Sequence, residues 1–376
     1  MSMYFQTRPT HHSIEIQYLF YLSRILFEKS KMMQLKEINV DEIYKRDKLL
    51  KKEEVVNVMK WVEFQSHLPN LSEGIFLPVS VYTCQCLIWM QNTSISHVLN
   101  LSRKQMFPSV RVLVLVGEKL CTALFLHSCY YNNELAKTTI DIHHTVKTLC
   151  PDIFGNRSPR DPQVKLTIDS FFCSPLPQLT DDGTLVILAK VLDVNPGNFI
   201  FPVILKCFDM ITLFHMHQNG PPNGVIIVFD MEGITFSHFL RVSVVVMKKF
   251  LYYLQEGMPI RLKGLHFCNV VSFIDKLIAM MKPFLKEEIL RVLGLHIGMD
   301  TVYELISKNI FPQDYGGSAE SIEILHEKVK ARINDNEEFF KYQESQVVDE
   351  SKRPGKPMNV SDIFGMEGTF KRLEVD

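Results

Sequence analysis

At 376 residues the chain is long enough for two domains. Hydrophobic residues make up 46% of it and charged residues 22%, an ordinary globular balance. The net charge of −1 excludes a global field that draws in nucleic acid, so any attraction to phosphate or membrane has to come from a local cluster.

Residues 1–32 read as an N-terminal extension, disordered or amphipathic. Ile14 to Phe27 is apolar-rich but carries Glu15, Gln17 and Arg24, a poor signal peptide and too short to span a bilayer. Met32-Met33 is the expected natural start of translation. Asp41 to Gln65 reads as a helix, with Val55, Val58, Met59, Trp61 and Val62 supplying an apolar face. From Gly74 to Gly117 there is no acidic residue. The most apolar part, Ile75 to Met90, is shorter than the ~20 residues a membrane helix needs, and Pro78 and Gln85 interrupt it. A helix resumes at Leu120 to His127. Another runs from Asn133 to Leu149 with Asn132 as N-cap, and Cys150-Pro151-Asp152 stops it. Arg157 to Pro162 is a linker with two prolines.

The second half alternates. Strands are expected at Thr184–Val191, Val225–Phe229, Lys263–Cys268 and Arg291–His296. Helices are expected at Asn198–Gln218, Ser237–Glu256 and Ser272–Lys282, and a short last helix is capped by Asp300. Such alternation predicts an α/β layer fold with a mainly parallel sheet behind an all-α N-terminal part. After Ala319 a helix with Ile322, Leu325 and Val329 on one face gives way to a polar tail.

Sites of chemistry are sparse. There is no GxSxG, GxxxxGK[ST] or GxGxxG. His215-x-His217 places its rings on different helix faces, and His143-His144 fits core or surface histidines better than a metal site. Asp230 before Gly233 reads as a turn cap rather than half of a carboxylate pair. The eight cysteines are scattered; only Cys84-Gln85-Cys86 is close-set and no CxxC pair exists, which suits a reducing compartment. The expectation is a protein that is not an enzyme and has no metal or cofactor.

The segment Arg261-Leu262-Lys263-Gly264-Leu265-His266-Phe267-Cys268-Asn269, running on to Lys282-Pro283-Phe284-Leu285-Lys286, resembles the lipid-binding half of the CRAL-TRIO family, most closely its alpha-tocopherol transfer protein-like branch in insect-type form. Gly224 to Gly233, Phe236-Ser237-His238 and Pro312 to Gly317 carry the same resemblance. It implies a helical N-terminal domain at 33–73 and 118–156, interrupted by an insertion at 74–117. That insertion is either a functional loop or a translated non-coding segment, and it is expected to be poorly ordered. A lipid-binding domain at 157–318 and a C-terminal helix and tail at 319–376 follow.

In the family one hydrophobic ligand sits in a closed cavity between sheet and helices, behind a lid. The resemblance therefore implies a pocket built from Phe208, Thr212, Phe229, Phe239, Val245, Phe250, Leu251, Leu254, Leu265, Phe267, Phe273 and Leu277. Two family cations that bind phosphoinositide phosphates match Arg261 and Lys263, and a third matches Lys147. A fourth falls on Glu288, where Lys286 or Arg291 would have to substitute. The implied function is a cytoplasmic, monomeric carrier of a tocopherol- or retinoid-like lipid that exchanges its cargo at anionic membranes. The alternative is a phosphoinositide-responsive adaptor without transfer activity.

Overall fold

The computed structural model describes residues 51, 53–58 and 121–365. The extension at 1–32, the insertion at 74–117 and most of the helix expected over 41–65 lie outside the described residues. Residues 53–58 are helical, as are residues 121–128. Helix α1 (Asn133–Leu149) starts where its sequence says, with the Asn132 side chain accepting from the Leu135 N–H at 3.0 Å. Pro151 then opens the short helix α2 (Pro151–Phe154). Asp161 caps α3 (Pro162–Ser170), accepting from the Gln163 and Val164 N–H groups, with Pro162 at the first position where no donor is needed.

Among the described residues the sheet has five strands, in the order β1 (Phe171–Pro175), β2 (Thr184–Val191), β3 (Gly224–Asp230), β4 (Leu262–Cys268) and β5 (Leu293–Leu295). β1 pairs antiparallel with β2, and the other pairs are parallel. β1 has no counterpart among the sequence expectations. Phe-Phe-Cys-Ser-Pro is buried throughout and shows no polar alternation to mark it. The register lines up Ile187, Ile227, Leu265 and Leu293, and two residues on Ala189, Phe229, Phe267 and Leu295.

Helix α4 (Phe201–Asn219) connects β2 to β3. The single helix expected over Ser237–Glu256 is two: α5 (Phe236–Phe239) and α6 (Val244–Glu256). The break falls where Ser243 caps α6 through the Val246 N–H, a local bond that competes with helix continuation. Helix α7 (Ile274–Met281) follows β4 and is closed by a 3₁₀ turn at Lys282-Pro283-Phe284. Short helices α8 (Glu287–Arg291) and α9 (Asp300–Tyr303) flank β5.

Beyond the sheet come α10 (Ile322–Asp335), α11 (Glu337–Ser345) and α12 (Val360–Phe364). The tail expected to be a polar trailer folds back instead. Arg353 pairs with Asp141 of α1 at 2.8 Å and donates to Thr145, while Phe364 meets Tyr252 of α6 edge-on. Asp230 is the cap its position suggests: it accepts from the Glu232 N–H at 2.9 Å, from Asn269 at 2.8 Å and from the Tyr315 hydroxyl at 2.6 Å.

Strand side chains alternate between the two faces of the sheet. On one face Phe172, Val186, Leu188, Val228 and Cys268 form one buried cluster with Val302, Ile306, Ile310, Phe311 and Leu325. The opposite face bears Ile187, Ala189, Ile227, Phe229, Leu265 and Phe267, and α4, α5, α6 and α7 lie over it.

Candidate functional site

Between that second face and the helices lies a cavity. Together with its open mouth it takes in about 980 Å³ of space free of protein atoms. The floor is Ala189, Ile227, Phe229, Leu265 and Phe267. α4 contributes Phe201, Ile204, Leu205 and Phe208, and α5 and α6 contribute Phe239, Met247, Phe250, Leu251 and Leu254. α7 closes one side with Leu277 and Met281. The wall is hydrocarbon, aromatic ring and thioether throughout, except for His238.

Ten of the twelve residues expected to line a pocket do so; Thr212 and Val245 do not. Thr212 is one turn past Phe208, beyond the end of the cavity, where it is fully buried. Val245 sits in the first turn of α6 and points outward, 42% exposed. Sequence reasoning also passed over Phe171, Ala189, Met231, Ile234, Val242 and His238 as cavity residues. The strand register was the signal for Ala189, because it shares a row with Phe229 and Phe267.

The outer side of the α5–α6 element is itself apolar. Phe236, Leu240, Val244 and Val245 are all exposed, Leu240 by 69%. A helical element that is apolar toward both the interior and the solvent is unusual for a freely hydrated surface.

Of the four cations expected to share a phosphate site, one lies in the core. Lys147 is buried inside α1, where its Nζ lies 3.3 Å from Asp209 Oδ2. It is a core residue rather than a headgroup ligand. Arg157 reaches the same carboxylate at 2.8 Å, and the Tyr253 hydroxyl donates to Asp209 Oδ1 at 2.7 Å. Burial pushes the Lys147 ammonium down to about 8, against the pull of Asp209. Burial alone would raise Asp209, but the two cations outweigh it and hold its pKa below the usual carboxylate value.

Arg261 and Lys263 remain at the surface end of β4. The Arg261 Nε donates to the His127 carbonyl at 2.7 Å, and its guanidinium lies 4.2 Å from the Tyr130 ring centre. Lys263 donates to Asp182 at 2.8 Å and to Thr184 at 3.1 Å. Lys286 is exposed and pairs with Glu256, and Glu288 is exposed on α8.

Among the described residues no cluster of metal-ligating side chains occurs, and no helix is long and apolar enough to cross a membrane. The six described cysteines are free thiols; burial pushes Cys207 up to about 12.

Residues 172–317 match the profile described as the CRAL/TRIO domain. The mouse protein named alpha-tocopherol transfer protein-like is 27% identical over 198 residues, 52% of this chain and 57% of that protein. Rat clavesin-2 is 24% identical over 169 residues, 44% and 51% of the two. The chain thus spans about half the length of the curated relatives it matches. The crystal structure of Sfh5 overlays 56% of this chain and 75% of that one, at a TM-score of 0.35 and 13% identity. The floor of the cavity, the α5–α6 element that follows β3 and the basic end of β4 all fall within residues 172–317, the part of the chain that is similar to the CRAL/TRIO domain.

Proposed function

We propose that the protein is a carrier. It holds one apolar lipid, tocopherol- or retinoid-like in size, in the cavity and exchanges it at a membrane surface on the cytoplasmic side, without any covalent step or cofactor. The observation that carries this reading is an apolar cavity covered by an element that is apolar on its outer side as well. Exposing a chain of about 20 carbons to water costs on the order of 15 kcal/mol, at about 0.8 kcal/mol per CH₂. Spontaneous transfer between membranes is therefore very slow, and a hydrocarbon-lined cavity removes most of that barrier. Phe236, Leu240, Val244 and Val245 supply the surface that settles into the headgroup region while α5 and α6 move aside.

Phosphoinositide contact is the finer part of the proposal. Arg261, Lys263 and Lys286 are the cations within reach of a headgroup, and the carboxylate pairs of Lys263 and Lys286 are surface pairs worth little. A multivalent phosphate displaces such partners at small cost.

The test is native mass spectrometry of the purified full chain, followed by transfer of its cargo between donor and acceptor vesicles. A bound lipid near one equivalent, delivered faster to acceptors that contain phosphatidylinositol bisphosphate, supports the carrier. An empty protein that still binds those vesicles, and loses binding with Arg261→Ala and Lys263→Ala, replaces it with an adaptor.

A further inference from the structure

Among the described residues His238 is the one titratable side chain in the cavity wall, and it is 1% exposed. It sits at the third position of α5. There its Nδ1 accepts from the Thr235 backbone N–H at 3.0 Å, with the Thr235 hydroxyl 2.8 Å from the same nitrogen. A ring nitrogen that accepts from a backbone N–H carries no proton. Burial first, and the nearby Arg241 charge second, hold the ring below the ordinary histidine range, with Asp193 opposing. A neutral imidazole with a bare Nδ1 carries its proton on Nε2. The turn at Thr235 therefore fixes the tautomer and leaves Nε2–H as a donor. That nitrogen is buried and has no hydrogen-bond partner among the described residues. The ring stands edge-on to Phe199, another wall residue, at 5.3 Å. Unpaired buried donors are rare in folded proteins, and this one belongs to the wall of a hydrocarbon-lined space.

We propose that the His238 Nε2–H selects the ligand: it pairs with an acceptor oxygen on an otherwise apolar molecule, such as an alcohol or a carbonyl compound, and disfavours a hydrocarbon of the same shape. This inference rests on the carrier reading above. An oxygen at Nε2 satisfies the donor, whereas a hydrocarbon seals it off unpaired. The difference corresponds to about tenfold in affinity.

The experiment offers the full-length chain equal amounts of phytol and phytane in phosphatidylcholine vesicles. These two share a branched body and differ in one hydroxyl. The protein is recovered by gel filtration and its lipids are measured by gas chromatography. The wild type is expected to enrich phytol over phytane by about tenfold relative to the vesicles. His238→Asn keeps an acceptor where Nδ1 lies but has no donor where Nε2 lies; its enrichment falls to near unity with total lipid unchanged. His238→Gln, which places an amide N–H near Nε2, keeps most of the enrichment.

Equal enrichment in wild type and His238→Asn, at full loading, overturns the role of His238 and leaves the carrier standing. A wild type that takes up neither lipid overturns both. Should His238→Asn not fold, the decision passes to histidine-selective ¹⁵N spectra of the wild type, with the His238 signal identified by its loss in His238→Gln. Its Nε2 resonance is expected to move with phytol and not with phytane, and equal movement with both sinks the assignment.

Discussion

The two faces of the sheet are made from the same strands and nearly the same residue types, yet one is solid and the other hollow. Val186, Leu188, Val228 and Cys268 form one buried cluster with Phe311 and Ile306. Ala189, Ile227, Phe229 and Phe267, alternate residues of the same strands, border the cavity. Both sides are apolar. What differs is the cover. The solid face is closed by α9, the turns that follow it and α10, which contribute Val302, Ile306, Phe311 and Leu325. The hollow face is spanned by α4 and α6, and their far sides are held elsewhere: Asp209 on α4 is tied to Lys147, Arg157 and Tyr253. A roof fixed outside the cavity need not collapse into it.

Removing that anchor should have the largest effect. Asp209→Ala leaves two buried cations without their counter-charge and should cost about 3–5 kcal/mol in urea unfolding. Phe311→Ala on the solid face should cost a similar ~3–5 kcal/mol, because its neighbours cannot close the gap. Phe267→Ala on the hollow face should cost less, below about 3 kcal/mol for the lipid-free protein, since that ring already borders space. Equal losses for the two phenylalanines would show that the hollow face is filled in solution.

Added volume sharpens the comparison from the other side. Cys268→Leu crowds the solid face and should destabilise by about 1–3 kcal/mol. Ala189→Leu, on the floor of the cavity, should leave stability near wild type and lower the lipid recovered per protein, measured by extraction after loading from vesicles.

Much of this architecture was legible. The Asn132 cap, the alternation of strands and helices, and the β4–α7 segment are written in local periodicity and capping, which do not depend on distant residues. β1 was not legible, because five buried residues at an antiparallel edge carry no alternation. The break between α5 and α6 was missed because Leu240-Arg241-Val242-Ser243 keeps a helix-compatible pattern while the Ser243 side chain caps the next turn. Ten cavity residues could be named from the family resemblance. Their facing a void rather than each other could not be read, for the void is set by how the roof is anchored. Lys147 was misplaced for a related reason: its partner Asp209 lies on a distant helix.

Acid should weaken the packing of α1 against α6, where His143 lies 5.5 Å from the Tyr253 ring. Burial, reinforced by Lys147, pushes His144 down to about 4, against about 6.5 in an unfolded chain. Between those values the unfolded chain binds a proton that the folded one does not. Stability therefore falls as pH drops from about 6.5 toward 4, by up to ~1.4 kcal/mol per unit for this site. Burial lowers His143 well below its ordinary value too, so the two add in the same direction. His144→Phe should flatten part of the decline in urea midpoint between pH 7 and pH 5; an unchanged slope would assign the acid sensitivity to other groups.

The smallest expected effect tests whether the basic end of β4 is separate from both faces. The Lys263 stem crosses Gly224, where a Cβ would meet it at 2.5 Å, and its ammonium reaches Asp182 at 2.8 Å with the side chain 37% exposed. A pair so open to water contributes about 0–1 kcal/mol, so Lys263→Ala should barely move the unfolding midpoint. Binding to vesicles containing phosphatidylinositol bisphosphate should weaken about fivefold, the equivalent of roughly 1 kcal/mol for one basic residue near an anionic surface. Lipid loading from neutral phosphatidylcholine vesicles should not change, because Lys263 does not line the cavity. A fall in neutral loading would mean that the end of β4 is coupled to the hollow face through Leu265 and Phe267, and that cargo and headgroup are read by one site rather than two.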